Sequence, residues 1–195
     1  MTATVRRTRL SDEREAELYQ AVIDLVREVG YEAMTMDAVA ARSRSSKATL
    51  YRQWEGKPKL VAAAMRHSRA PVADDIDTGS LRGDLHELAR TIGEGAEHDT
   101  VFMSAVGHAA HSNPDLALAL REMLIDPELA RLSVVLGRAV ERGEVRADAP
   151  AIDFFAHTLV GAMMARKVLE DSFADADYLT RYIDAVVLPA FGVTG

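Results

Sequence analysis

Residues 35–59 read TMDAVAARSRSSKATLYRQWEGKPK, and this stretch predicts two short helices joined by a tight turn. Thr35 and Ser46 can each cap a helix, because their side-chain oxygens can accept a hydrogen bond from a backbone N–H of the first turn. The first helix would extend to about Ser43 and the second to about Trp54. Two helices joined by a turn of about four residues can cross so that the second lies in a DNA major groove. The stretch therefore predicts a helix-turn-helix.

The two faces of the second helix differ in chemistry. Leu50 must be buried, and the first helix must bury Val39 and Ala40 in turn. The opposite face of the second helix carries small, hydroxyl-bearing or basic side chains, which suit contacts with phosphates and base edges. These side chains belong to Lys47, Ala48, Thr49, Tyr51 and Arg52.

Helices are predicted on both sides of this motif. A first helix would begin after the N-cap candidate Ser11, run to Val29 and stop at Gly30. Pro58 is tolerated near the start of a fourth helix, because its missing N–H would have no partner there. The first helix has one apolar stripe at spacings of three and four residues, formed by Leu18, Ala21, Val22, Leu25 and Val29.

Roughly residues 12–66 resemble the DNA-binding region of TetR-type regulators. In that family a Gly-aromatic pair leads to Thr-x-x-x-Ile-Ala, a turn, and then Ser-Lys-x-Thr-Leu-Tyr. The corresponding residues of this chain are Gly30-Tyr31, Thr35, Val39-Ala40, Ser46-Lys47-Ala48-Thr49-Leu50-Tyr51, Trp54 and Lys57.

The resemblance implies roles for individual residues. Thr35 and Lys57 would hold phosphates at the N-termini of helices 2 and 4, where the helix dipole and free N–H groups already favour an anion. Ala48 and its neighbours would face base edges, and Trp54 would pack the recognition helix onto helix 4. Further contacts with the DNA backbone would come from Lys47, Thr49 and Tyr51.

The turn of this chain departs from the family pattern. The family usually has Ala-Gly-Val-Ser, whereas this chain has Ser43-Arg44-Ser45-Ser46. If the glycine position requires a positive φ, Arg44 adopts it at a modest steric cost, and Ser45 replaces a small apolar side chain. Arg44 would also lie where it can read a guanine or hold a phosphate. The complete predicted DNA-contacting set is Thr35, Arg44, Ser45, Ser46, Lys47, Ala48, Thr49, Tyr51, Arg52 and Lys57.

The formal net charge of −7 is unevenly distributed. Residues 1–70 contain 13 Lys/Arg against 9 Asp/Glu, a net of +4, whereas residues 71–195 contain 10 against 21, a net of −11. One basic end on an acidic body suits a protein that presents only that end to phosphates, although a chance excess explains the count equally well. The basic residues before the first helix form either an arm that follows the minor groove or a plain solubilising tail. They are Arg6, Arg7 and Arg9.

Composition argues against several classes of protein. The chain has no cysteine, so it has no disulfide or thiolate metal site, which fits a reducing compartment. Basic residues near the N-terminus lack an apolar segment behind them, and no run of about 18 apolar residues occurs, so we expect a cytoplasmic protein without signal peptide or membrane span. No phosphate-binding glycine loop, nucleophile elbow or HExxH motif is present. We therefore predict neither an enzyme nor a cofactor.

A polar stretch over residues 70–79 separates a head from a body. The head covers residues 1–70, with an arm at 1–11, and the body covers residues 80–195. Residues 77–85, DTGSLRGDL, resemble the opening of one C-terminal subgroup of the TetR-type regulators. Helix starts are predicted at Ser80, Asn113-Pro114, Asp126-Pro127 and Asp148-Ala149-Pro150, and the last two helices would cover roughly 150–169 and 175–191. The predicted fold is all-α: a helix-turn-helix head followed by a helical bundle.

The resemblance implies that helices 5 to 8 enclose a ligand cavity and that the last two helices pair with a second subunit. Met and Phe side chains suit a hydrophobic or aromatic effector, although at helical spacing they are more often core than pocket. The candidate pocket residues are Phe102, Met103, Val106, Met123, Leu136, Phe154, His157 and Met164. The candidate dimer-interface residues, which also fit a plain internal core, are Phe155, Leu159, Gly161, Ala162, Ile183, Val186 and Val187.

These observations together predict a homodimeric repressor that binds a palindromic DNA operator and is released by a small molecule. Three alternatives remain open: an enzyme on a helical bundle, a ligand-independent protein that organises DNA, and an activator. His108 and His111 could share a metal with His157, but the spacing does not demand it, so we predict no metal site.

Overall fold

The computed structural model describes residues 11–68, 76–94 and 96–193 of the 195-residue chain. Regular structure in these residues is entirely helical, so the predicted all-α class is confirmed. Apart from Ser11, the predicted N-terminal arm with Arg6, Arg7 and Arg9 lies outside the described residues.

Four helices form the head, and their starts follow the predicted caps. The Ser11 side chain accepts a hydrogen bond from the Arg14 N–H at 3.4 Å and caps the first helix. Gly30, with φ 79° and ψ 164°, interrupts this helix where a stop was predicted, and one further turn follows. The helices are α1 (Asp12–Ala33), α2 (Met36–Arg42), α3 (Lys47–Trp54) and α4 (Lys57–Ser68).

The body is built from further helices and two π-helical turns. The predicted start at Ser80 is confirmed, because its Oγ accepts from the Gly83 N–H at 3.1 Å, and Asn113 Oδ1 likewise accepts from the Leu116 N–H at 2.9 Å. The helices are α5 (Leu81–Glu94), α6 (Ala96–Ser112), α7 (Pro114–Leu120), α8 (Asp126–Glu141), α9 (Phe155–Glu170), α10 (Ala176–Tyr182) and α11 (Leu188–Ala190). A 3-10 turn (Pro150–Phe154) precedes α9, and the π turns are Arg121–Ile125 and Ile183–Val187.

The predicted helix start at Asp126-Pro127 coincides with the first residues of α8, but it is not a free helix N-terminus. Ile125 and Asp126 both have right-handed helical φ/ψ, so the backbone passes without a break from α7 through the π turn into α8. Proline has no N–H to donate to the preceding turn, and the wider π turn lies directly before Pro127. Pro189 follows the second π turn in the same way. These prolines therefore coincide with local widening of a continuing helix.

Two apolar cores hold the chain together, and the first extends beyond the head. Helix α6 packs on α1 and α7 packs on α4, so residues of the body complete the core of the head. The second core joins α5, α8 and α9 to the C-terminal segment. The predicted division at residues 70–79 thus separates the head from the body along the chain, but it does not separate their apolar cores. The body residues that join the head core are Phe102, Val106, Ala109, Leu116, Ala119, Leu120 and Leu124.

A buried carboxylate fixes the start of the body. Asp84 is 1% exposed and accepts hydrogen bonds from the Thr78 N–H at 2.6 Å and the Thr78 hydroxyl at 2.8 Å. Arg142, the C-cap residue of α8, supplies the opposite charge at 3.3 Å. A Cβ on Gly83 would lie 2.1 Å from Thr78 Oγ1, so glycine is needed there for the loop to lie against α5. The segment DTGSLRGDL therefore locks the body's first helix onto α8.

Candidate nucleic-acid interface

Both helices of the motif, α2 and α3, begin at their predicted caps. Thr35 Oγ1 accepts from the Ala38 N–H at 3.1 Å, and Ser46 Oγ accepts from the Thr49 N–H at 3.1 Å. The end of α2 is closed by the Ser45 N–H, which donates to the Ala40 carbonyl at 3.0 Å. These bonds satisfy backbone groups that helix ends would otherwise leave unpaired.

Arg44 takes the left-handed conformation that the sequence suggested, with φ 52°. Its N–H lies 3.4 Å from the Ala41 carbonyl, and its side chain is exposed. Neighbouring bonds hold the turn: the Ser43 hydroxyl donates to the Val39 carbonyl at 2.8 Å, and Arg14 of α1 donates to the Ser43 carbonyl at 3.1 Å. The strain at Arg44 is thus offset by contacts on both sides of it.

The inner face of the motif is buried as predicted. Val39 and Leu50 are fully buried, and Ala40 is 9% exposed. These three side chains belong to the head core, so α3 is fixed against α2 while its other face stays at the surface.

Trp54 is buried as well, in the core that also contains Leu60 and Val61 of α4. Its ring meets Tyr19 of α1 edge-on, with centroids 5.8 Å apart, and its Nε1–H donates to Tyr19 Oη at 3.3 Å. The Tyr19 ring in turn lies 4.9 Å from His67 of α4. Burial, followed by the hydrogen bond with Glu15, raises the pKa of Tyr19 to about 12, so its hydroxyl stays protonated at neutral pH. Tyr19 therefore links the recognition helix to α4.

The outer face of α3 is open to solvent. Lys47, Ala48, Tyr51 and Arg52 are exposed, with Tyr51 at 51%. Thr49 is half-buried, and its hydroxyl lies 2.9 Å from the Ser46 hydroxyl. The predicted DNA-facing residues thus share one accessible surface beside the turn.

Lys47 forms an ion pair with Asp37 in the first turn of α2. Both side chains are more than half exposed, so the pair is weak and can be exchanged for another anion. The sequence reasoning missed Asp37, although its place two residues after the Thr35 cap puts it beside the predicted phosphate site.

Lys57 is held inside the head. Its Nζ donates to the carbonyls of Tyr31 at 2.9 Å, Met34 at 3.1 Å and Glu32 at 3.3 Å, and it lies 4.2 Å from the centroid of the Tyr31 ring. An ammonium has three protons, and these bonds use all of them. The arrangement ties the start of α4 to the end of α1, so the phosphate role implied by the resemblance would require these bonds to be exchanged.

The structure does not bring the predicted pocket residues together. Phe102 and Val106 are buried in the head core, and Met103 and Met123 pack against it. Leu136 belongs to the second core and Met164 packs against it, and the sulfur of Met164 lies 3.9 Å from the Ser104 hydroxyl of α6. Phe154 is 61% exposed, with its ring 6.1 Å from that of His157.

A cavity of about 450 Å³ opens between α8 and the start of α9. Leu136 and His157 are the predicted pocket residues that line it, together with Ser133, Gly137 and Asp153. Most of its other lining side chains are aliphatic or aromatic, among them Leu132, Val140, Ile152 and Phe155.

Most of the predicted dimer-interface residues are internal. Within the single chain, 7% or less of the surface of five of the seven is exposed, and four of these five, all except Ala162, belong to the second core with residues of α5 and α8. The buried residues are Phe155, Leu159, Ala162, Ile183 and Val187, and the exposed ones are Gly161 and Val186. Two large apolar side chains that the prediction omitted, Val168 and Leu169, are 83% and 79% exposed on α9.

Two family models match this sequence. The one described as "Bacterial regulatory proteins, tetR family" matches residues 18–64, and the one described as "Tetracyclin repressor-like, C-terminal domain" matches residues 75–186. The chain belongs to the TetR family. The predicted resemblance is confirmed in both halves, and ligand-responsive repression of transcription is the general property of TetR regulators.

Individual TetR relatives span nearly the whole chain. An uncharacterized HTH-type transcriptional regulator of Mycobacterium tuberculosis is 34% identical over 177 residues, which cover 91% of this chain and 87% of the relative. A protein of Mycobacteroides abscessus named "DNA-binding transcriptional repressor TetR" is 31% identical over 178 residues, covering 90% and 92%. The crystal structure of another TetR family transcription regulator matches with a TM-score of 0.66 at 27% identity, covering 92% of this chain and 98% of that one. The chain is accordingly a transcriptional regulator and not an enzyme.

The described residues contain neither a candidate membrane span nor a candidate metal cluster. None of the described helices is long and apolar enough to cross a membrane. Within the same residues, no three His, Asp or Glu side chains are grouped so that they could hold a metal ion. His108 is exposed, and His111 Nδ1 lies 2.8 Å from the Gly107 carbonyl of its own helix.

Proposed function

We propose that this TetR regulator is a cytoplasmic repressor that binds a palindromic operator as a homodimer and leaves it when an apolar small molecule binds the body. The observation that supports this most directly is the pair of faces on α3. One face is fixed in the head core through Leu50 and Trp54, and the other presents Lys47, Ala48, Tyr51 and Arg52 to solvent. The name of the Mycobacteroides abscessus relative supports repression.

At the operator, α3 would lie in the major groove with its N-terminus towards the bases. Lys47 would exchange Asp37 for a phosphate, and Arg44 would contact a phosphate or a guanine beside the turn. The Thr35 hydroxyl accepts from the Ala38 N–H and keeps its own proton for a phosphate oxygen. Lys57 would contribute through the position of α4, because its ammonium is already engaged.

A second copy of the chain would cover an exposed face of α9. Gly161, Ala165, Val168 and Leu169 are exposed there at spacings of one turn or two, and small residues allow helices to approach closely. Val186 of the second π turn is 42% exposed and would extend this face. Apolar side chains exposed to this extent are typical of surfaces that a partner covers. Two-fold symmetry would then place two heads on one side of the DNA.

Selection of bound sequences from random double-stranded DNA tests the proposal. We expect a palindrome whose half-sites are centred about 34 Å apart, or a multiple of it, because each α3 must reach the major groove on the same side of the duplex. Recovery of no enriched palindrome would contradict the proposed function. A gel-shift assay with the selected operator then provides the readout for release by small molecules.

A further inference from the structure

The cavity between α8 and α9 has the size and walls of a small-molecule site. Its volume of about 450 Å³ falls within the range of roughly 300–1,000 Å³ that ligand pockets occupy. Leu136 and Phe155 form its buried floor, and Ile152 and Val140 lie on its walls. Such a lining favours an aromatic or aliphatic group.

Gly137 keeps one wall of this cavity open. It lies in the interior of α8, where glycine is among the least favourable residues for a helix. A Cβ at this position would meet nothing within 4 Å, so packing inside the chain does not require a glycine. Its absent side chain does leave room in the cavity that it lines.

The polar groups of the cavity set the charge that it accepts. Asp153 supplies a carboxylate and His157 an imidazole, and no lysine or arginine is among the lining residues. The Ser133 hydroxyl donates its proton to the Leu129 carbonyl at 2.8 Å, which leaves its lone pairs as acceptors. The body as a whole is acidic, with a net charge of −11 over residues 71–195. An anion would find repulsion here, whereas a cation would find a carboxylate and a favourable field.

We propose that this cavity binds an effector of one chemical class, an apolar molecule carrying a single cationic amine. The apolar part lies against Leu136 and Phe155, and the amine lies at Asp153. This inference rests on the proposed function, since it assigns the release of the operator to a ligand at this place.

Three fluorescent probes with one tricyclic body test the assignment: aminomethylanthracene, hydroxymethylanthracene and anthracene carboxylate. Their binding to the full-length protein is measured by fluorescence anisotropy at neutral pH. We expect the amine to bind about threefold more tightly than the alcohol, which is the size of effect that a partly exposed ion pair provides. The carboxylate binds most weakly. In Asp153→Asn the amine and the alcohol bind equally well. Equal binding of all three probes to the unmodified protein, or strongest binding of the carboxylate, would overturn the proposal.

A variant whose cavity is filled by a large side chain provides a second test of the proposal. Gly137→Trp places an indole in open space, and we expect it to weaken binding of the amine at least tenfold without lowering the melting temperature. Ala130→Trp, an exposed position of α8 outside the cavity lining, is the matched control and keeps full binding. If the amine binds Gly137→Trp as tightly as the unmodified protein, the probe binds elsewhere. If the unmodified protein binds no probe and Gly137→Trp changes the oligomeric state, the cavity is a contact surface for a second copy of the chain. Either result contradicts the proposal.

Operator binding by the unmodified protein is measured in parallel, so that failure of the cavity assignment can be distinguished from failure of the proposed repressor function. A protein that binds its operator but none of the probes contradicts the assignment of the cavity and leaves the repressor proposal intact. A protein that binds the amine in the expected order but no DNA contradicts the proposed function instead.

Discussion

Arg44 occupies a backbone conformation that glycine adopts more easily, and it adds an exposed positive charge beside the recognition helix. A residue kept at a strained position is a candidate for function, because the strain is otherwise without benefit. Lys57 is the opposite case: its ammonium was expected to contact DNA, but it binds the Tyr31 carbonyl and ring inside the head. We therefore expect Arg44 to contact DNA and Lys57 to stabilise the head.

Replacement of Arg44 by glycine distinguishes the backbone strain at this residue from its proposed contact with DNA. Arg44→Gly should leave thermal stability unchanged or raise it by up to about 1 kcal/mol, because the left-handed conformation disfavours residues with a Cβ. It should weaken operator binding about tenfold, within the range of roughly 1–3 kcal/mol for a specific contact. Melting temperature and operator affinity at moderate salt are the measurements. Arg146→Ala, on the exposed surface of the body, is the control, and an unchanged affinity for Arg44→Gly would refute the contact.

Lys47 and Lys57 make a matched pair for salt dependence. Each phosphate contact contributes about 0.9 to the slope of log affinity against log salt concentration. We expect Lys47→Met to lower that slope by about 1 with little effect on stability. Lys57→Met should leave the slope unchanged and reduce the free energy of unfolding by about 1.5–3 kcal/mol, because hydrogen bonds to a charged group are lost. A lower slope for Lys57→Met would show that Lys57 does contact a phosphate.

At the scale of elements, α5 is positioned by close approaches that only glycine permits. An added Cβ on Gly93 would lie 2.2 Å from the backbone nitrogen of Ala176, at the start of α10. Gly83 plays a similar part against Thr78 at the other end of the helix. The distance between α5 and the C-terminal segment is therefore set by missing side chains.

Alanine substitution tests this spacing. Gly93→Ala should reduce the free energy of unfolding by about 1–3 kcal/mol, the usual effect of overpacking, because backbone atoms of α10 must move. Gly107→Ala, in the interior of α6 with nothing within 4 Å of the added Cβ, should instead stabilise the protein by up to about 1 kcal/mol. Urea unfolding measures both. Equal effects of the two substitutions would show that the α5–α10 contact is loose.

The elements were predictable where the signal is local. Ser11, Thr35, Ser46 and Asn113 cap helices as predicted, because a cap depends on a side chain and the three residues after it. An aspartate followed by a proline fits a helix start for the same reason, and α8 does begin at Asp126, but this local pattern does not reveal that the preceding π turn already has a helical backbone. The turn conformation of Arg44 was predictable because the motif around it fixes the backbone.

For the whole molecule, sequence periodicity located apolar stripes but did not reveal which surface each stripe meets. Phe155, Leu159 and Ile183 were predicted to meet a second subunit, and the chain buries them against its own α5 and α8. Phe102 and Val106 were predicted to line a pocket, and they complete the core of the head. These assignments depend on contacts between residues far apart in sequence, which no local pattern encodes.

The exposed face of α9 gives a prediction at this scale. The double substitution Val168→Lys and Leu169→Lys places two charges on the surface proposed to meet a second copy, and burying unpaired charge is strongly unfavourable. We expect the variant to be monomeric by light scattering and to bind the operator at least a hundredfold more weakly, because one head contacts only one half-site. Ala130→Lys, on an exposed position of α8, is the control. A double variant that remains dimeric would place the interface elsewhere.

The π turn at Arg121–Ile125 sets the rotation between the two halves of the long helix formed by α7 and α8. Ala119 and Leu120, before the turn, belong to the head core, and Leu136 and Ala139, beyond it, belong to the second core. Each residue of a helix advances the side-chain direction by about 100°. Removal of a single residue from this turn would leave a more regular helix and rotate one half against the other, so that only one core could keep its apolar side chains. Insertions and deletions should therefore be rarer in this helix than in the loops around it, even though the turn is its least regular part.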